Sequence, residues 1–145
     1  MFLQDLFLEH FEFADLSIKT VQRVGKVFGN TITSTLWRAI ESSDIPMFGL
    51  ISQHPCRAIE VEPIRHFIWS PDFRAQFNNV AAMQIFKSLQ TFCTRNRGPI
   101  GEAEVHLIDA NGDKHVFYVE TFFNNYDALT LGVYRRVATP MISIR

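Results

Sequence analysis

The chain has 145 residues, 47% of them apolar, and sets 14 Lys and Arg against 15 Asp and Glu. That length holds one ordinary domain or two small units on a shared core, and 14 phenylalanines are ample for a packed interior. The near-cancelling charge excludes a chain dominated by a nucleic-acid-binding or membrane-binding surface. No apolar run approaches the ~20 residues of a membrane-spanning helix. The amino end, MFLQDLFLEHFEF, is interrupted by Asp5, Glu9 and Glu12 and has no basic flank, so it is a poor signal peptide. Cys56 and Cys93 lack metal-type spacing and read as reduced thiols. The expectation is a soluble, cytoplasmic protein.

In chain order, residues 15–41 read as two short helices and a tight turn. Leu16, Val21, Val24 and Phe28, flanked by Ile18 and Val27, recur at helical spacing. Gly29 suits a left-handed helix end, Asn30 bridges, and Thr31 can cap the next helix. Ile32, Leu36, Ala39 and Ile40 form a second apolar stripe. This is the pattern of a helix-turn-helix unit. Its open face would offer Thr33, Ser34, Trp37 and Arg38 to DNA or a partner protein. The first 45 residues nevertheless carry a net charge of −2, which argues against autonomous DNA binding and favours a packing role.

Helical patterning stops at Ser42-Ser43-Asp44-Ile45-Pro46. MFGLIS (47–52) and IRHFIW (64–69) read as strands, the second ended by Ser70-Pro71-Asp72 as a turn. Residues 79–93 return to helical spacing through Ala82, Met83, Phe86, Leu89, Gln90 and Cys93. From Glu102 the chain alternates, with Ala103, Val105 and Leu107 on one face and Glu102, Glu104 and His106 on the other. Asn111-Gly112 marks a hairpin, 114–123 is the return strand and 128–135 a final strand. Asp109, Asn111, Asp113 and Glu120 invite a calcium-loop reading, but Lys114 stands where such a loop needs glycine, so the plain hairpin is preferred. The fold class is therefore α+β: a helical unit over 1–45, then a mainly antiparallel sheet with a covering helix over 46–145.

FGNTITSTLWRAIE, IRHFIWSPDF and VETFFNNYDALTLGVYR, in this order, resemble the carboxy-terminal part of the ImmA/IrrE family of bacterial regulators. Asn30 departs from the family's apolar preference. The resemblance implies a helix-turn-helix-like unit followed by a GAF-like sensor. The family's zinc-peptidase part carries His-Glu-x-x-His. Here His10, His54, His66, His106 and His115 include no two spaced four apart. FLQDLFL resembles the segment just downstream of that metal site.

The resemblance thus implies a non-catalytic regulatory or sensor fragment, with no metal or other cofactor. The GAF-like unit would offer a small-molecule pocket whose polar contributors are Arg65, His66, His106 and Tyr118. Expected partners are a second copy or a peptidase or regulator protein, with DNA weak or indirect and no membrane. Two alternatives stand beside this reading. One is a stand-alone dimerisation or ligand-binding module, using exposed apolar residues of the final strand or of 79–93. The other is a small α+β enzyme using His106 or Cys56.

Overall fold

The computed structural model describes residues 13–29, 31–59 and 61–138. Residues 1–12 of the amino-terminal apolar segment, Asn30, Glu60 and the tail beyond 138 lie outside the described residues, as does the side chain of Phe28. The protein is α+β, built on a five-stranded antiparallel sheet.

A 3-10 turn (Phe13–Asp15) leads into α1 (Ile18–Phe28) and α2 (Ile32–Glu41). The sequence dictates the caps of α1 and the start of α2. Ser17 accepts the Thr20 N–H at 3.1 Å, and Gly29 closes α1 in the left-handed region at φ 71°. Thr31 accepts the Ser34 N–H at 3.1 Å and so starts α2.

The sheet comprises β1 (Met47–Ser52), β2 (Ile64–Trp69), β3 (Gly98–Ile108), β4 (Lys114–Phe123) and β5 (Ala128–Val137), in the order β2-β1-β5-β4-β3. α3 (Pro71–Gln76) and α4 (Ala82–Leu89) cross between β2 and β3. Strand alternation splits the interior into two apolar clusters. Met47, Ile51, Ile68, Leu129, Leu131 and Val133 meet Leu16, Ile18, Val21, Val24, Leu36, Ala39 and Ile40 of the α1–α2 side. Phe48, Leu50, Leu107, Phe117 and Val119 meet Phe73, Phe77, Ile85, Phe86 and Leu89 of the α3–α4 side. β1 is buried along its whole length, as are the first six residues of β5, because helices cover both faces.

Several expectations are corrected. Ser70-Pro71-Asp72 does not simply end β2 in a turn; it starts a helix. Ser70 caps α3 by accepting the Phe73 N–H at 3.2 Å, and Pro71 takes the first turn, where its missing N–H costs nothing. The 79–93 helix is shorter, Ala82–Leu89, and its buried face is Ile85, Phe86 and Leu89, whereas Met83 and Gln90 are exposed. β3 begins at Gly98, four residues before the expected start at Glu102. Val27 is exposed, not a core contact. The final strand, β5, lies inside the sheet with β1 and β4 on its two sides; Ala128–Val133 are buried in the core, whereas Val137 at its end is exposed.

Candidate functional site

The hairpin register carries the first element of the site. Pairing counted outward from the Asp109–Asp113 turn sets Glu102 directly opposite Glu120. Like charges in that position repel. Their carboxylates stand on the α1–α2 side of the sheet, where α1 arrives end-on. Ile18, the first residue of α1, gives its backbone N–H to Glu120, using a donor that no helical carbonyl can satisfy. Burial pushes the Glu120 carboxyl above its ordinary range, with the Glu102 charge adding to the shift, while the Ile18 bond opposes it. On the same face Tyr118 hydrogen-bonds Glu102. Burial first, and then this carboxylate neighbourhood, push its phenol up to about 12. The Arg135 guanidinium lies 5.1 Å from the Tyr118 ring centroid.

Beside this pair runs a groove of about 560 Å³. One wall is α1, through Ile18, Lys19 and Gln22. The opposite wall is the sheet end, with Pro99, Ile100, Gly101, Glu102, Glu120, Thr121 and Phe122. The loop after α4 supplies Phe92, Thr94 and Arg95. Gly101 is what lets that loop lie on the strand, because a side chain there would run into the Phe92 carbonyl and the Cys93 backbone. The groove therefore combines apolar walls, two carboxylates and two cations, the composition of a small-molecule site.

The residues anticipated from sequence do not converge. Arg65 and His66 sit on β2 at one edge of the sheet, and His106 sits on β3 at the other. Arg65 is held by Asp127 at 2.8 Å, tying β2 to the β4–β5 turn. His66 and His106 are both exposed. Of the four, Tyr118 alone reaches the groove's surroundings, through Glu102. On α2, Thr33 is half-buried, and Ser34 is occupied in capping with Thr31. Trp37 is not on an open face; it packs against the α1–α2 core and meets His66 edge-on at 4.9 Å. Arg38 is exposed. Lys19, Gln22, Arg95, Glu102 and Glu120 were missed as a set. The Glu102–Glu120 pairing was recoverable by counting outward from Asn111-Gly112.

Two further clusters resolve into structural roles. Asp109 Oδ1 accepts the Asn111 and Asp113 N–H groups at 2.9 Å each, and its Oδ2 lies 2.7 Å from His115 Nε2 and 3.2 Å from Gln76 Nε2. Burial works against the charge. The bonds from Asp113, His115, Gln76 and Asn111 outweigh it and hold the carboxyl at about 2. With its carboxylate turned inward, this loop is a hairpin lock. His54 Nε2 donates to the Arg95 carbonyl at 2.7 Å and its Nδ1 accepts the Cys56 N–H at 3.1 Å, so neither is free to act as base for a thiol. Cys56 Sγ donates to the Cys93 carbonyl at 3.0 Å, and burial pushes the Cys93 thiol up to about 11.

No protein-family model matches the chain, and no curated protein matches it. No helix among the described residues is long and apolar enough to cross a membrane.

Proposed function

We propose that this chain is a non-catalytic sensor part of an ImmA/IrrE-like bacterial regulator, with a helix-turn-helix-like pair, α1–α2, seated on a GAF-like sheet. The observation that carries this reading is the double ownership of the groove, one wall from α1 and the other from β3 and β4. A molecule held there touches both parts at once, so its binding energy depends on how α1 sits against the sheet. A ligand shifts an equilibrium only by its differential affinity for two arrangements, and a site shared between two elements supplies such a difference.

The fitting ligand has an apolar body for Ile18, Pro99 and Phe122 and a cationic or hydrogen-donating group for Glu102 and Glu120. The test is a thermal-shift screen of small amines and other cytoplasmic metabolites, followed by calorimetry on Gln22→Trp, which fills the groove from α1. Binding to the parent that disappears in Gln22→Trp, with the unliganded melt unchanged, supports the reading. Binding that survives the blocked groove overturns it.

A further inference from the structure

We infer that β3 is a self-recognition edge, through which two copies of this chain pair antiparallel about a two-fold axis at Val105. β3 is an outer strand of the sheet, and an outer strand presents a row of backbone donors and acceptors. Which residues present them follows from the hairpin. Asp109 N–H donates to the Asp113 carbonyl at 2.9 Å, so the odd-numbered residues of β3 turn their polar backbone groups toward β4. Glu102, Glu104 and His106 therefore turn theirs outward. The chain itself covers the two ends of this window. Arg95 N–H reaches the Ile100 carbonyl at 3.3 Å, and Asn79 Nδ2 reaches the Ile108 carbonyl at 2.9 Å.

Charges on an edge strand ordinarily obstruct pairing, so the register decides. A ladder requires outward-turned residues to face outward-turned residues, which leaves only registers with one residue opposite itself. An axis at Ala103 sets Glu102 against Glu104 of the second copy. An axis at Glu104 sets that carboxylate against itself. An axis at His106 opposes the two imidazoles. An axis at Val105 sets Glu104 opposite His106 of the second copy, twice, as hydrogen-bonded pairs with a carboxylate accepting from a ring N–H. Glu104 and His106 are exposed and share the α1–α2 side of the sheet, as this requires, and Arg136, 3.6 Å from Glu104, sits on the same carboxylate. Val105 and its copy then meet in the closely spaced, non-hydrogen-bonded position, continuing the sheet from five strands into ten.

The experiment is sedimentation velocity on the full chain over a concentration series, with Glu104→Lys and the charge-swapped Glu104→Lys/His106→Glu, each checked by thermal melt. The parent is expected to dimerise. Glu104→Lys, which sets two cations against imidazoles, should weaken the dimer about tenfold or more, and the swap should restore it. As an independent readout, Val105→Cys in a Cys56→Ser background should form a covalent dimer with oxidised glutathione, whereas Ala103→Cys in that background should not. A parent that stays monomeric, a dimer indifferent to Glu104→Lys, a swap that fails to recover pairing, or cross-linking through position 103 instead of 105 would overturn the inference.

Discussion

The Phe48 ring occupies the space that a side chain at Gly132 would need, the two residues being direct partners across β1 and β5. Phe48 has no exposed surface and contacts the rings of Phe67, Phe73 and Phe117, so it has nowhere to retreat. The glycine at the centre of the sheet is thus a packing requirement of the α3–α4 layer. Gly132→Ala should destabilise the fold by about 1–3 kcal/mol through overpacking. Urea denaturation would check it, and an unchanged midpoint would mean that the aromatic cluster can shift.

The Asp109–His115 lock makes an acid-dependence prediction. A carboxyl held at about 2, below its ordinary 3.8, contributes stability that is present above the ordinary value and lost as pH falls toward 2. The parent should therefore lose melting temperature between those two values. Asp109→Ala should melt lower at neutral pH, leave the Asn111 and Asp113 N–H groups without their acceptor, and show a shallower acid slope. Melting curves at a series of pH values report all three.

Trp37 is expected to act through stability. Half-buried against the core and edge-on to His66, it should cost about 1–3 kcal/mol when truncated to alanine, below the range of a fully buried aromatic. With residues 1–45 carrying a net charge of −2, DNA binding at near-physiological salt should be weak, non-specific and salt-sensitive. Titration of genomic fragments tests this, and selective sub-micromolar binding that weakens on Arg38→Ala would contradict it.

What was legible in the sequence followed from local chemistry. MFGLIS and IRHFIW match β1 and β2 residue for residue, and Gly29 and Thr31 serve the caps that their residue types suggest. α3 was missed because Ser-Pro-Asp is equally good as a turn and as a helix start: the serine hydroxyl accepts a backbone N–H two or three residues on in either case. Ser70 adds bonds that no local reading anticipates, accepting the Met47 N–H and donating to the Ile45 carbonyl, both at 2.9 Å. The groove was illegible for a different reason. Its residues come from α1, the loop after α4, β3 and β4, and only the order β2-β1-β5-β4-β3 brings those segments together while sending Arg65 and His66 to the far edge.

The strand register itself can be tested at Leu107. It is buried on the α3–α4 side, while its neighbour His106 is exposed on the other face. Leu107→Asp places an unpaired carboxyl away from water, a cost of about 2–7 kcal/mol for a polar group even when it is uncharged. That is a large part of a typical ~5–15 kcal/mol stability, so the variant should be unfolded or insoluble. His106→Gln should change stability by no more than about 0.5 kcal/mol. Equal melts for parent and Leu107→Asp would mean that the two faces of β3 are exchanged.

Glu120 gives the last prediction, with a sign opposite to that of Asp109. Burial raises its carboxyl above the ordinary value, so the ionised form is penalised in the fold. The stability it contributes is fully present below the ordinary glutamate value of 4.5 and is lost as pH rises through the elevated folded value. As the pH rises, charge that develops on Glu120 stands directly opposite Glu102 and is offset only in part by the Ile18 N–H. Glu120→Gln keeps an acceptor for that N–H and removes the charge. It should melt higher than the parent at neutral pH, and the advantage should shrink as the buffer is acidified. It should also weaken any cationic ligand of the groove. A Gln variant that melts lower than the parent at neutral pH would mean that a cation of the groove wall, Lys19 or Arg95, already compensates the Glu120 charge.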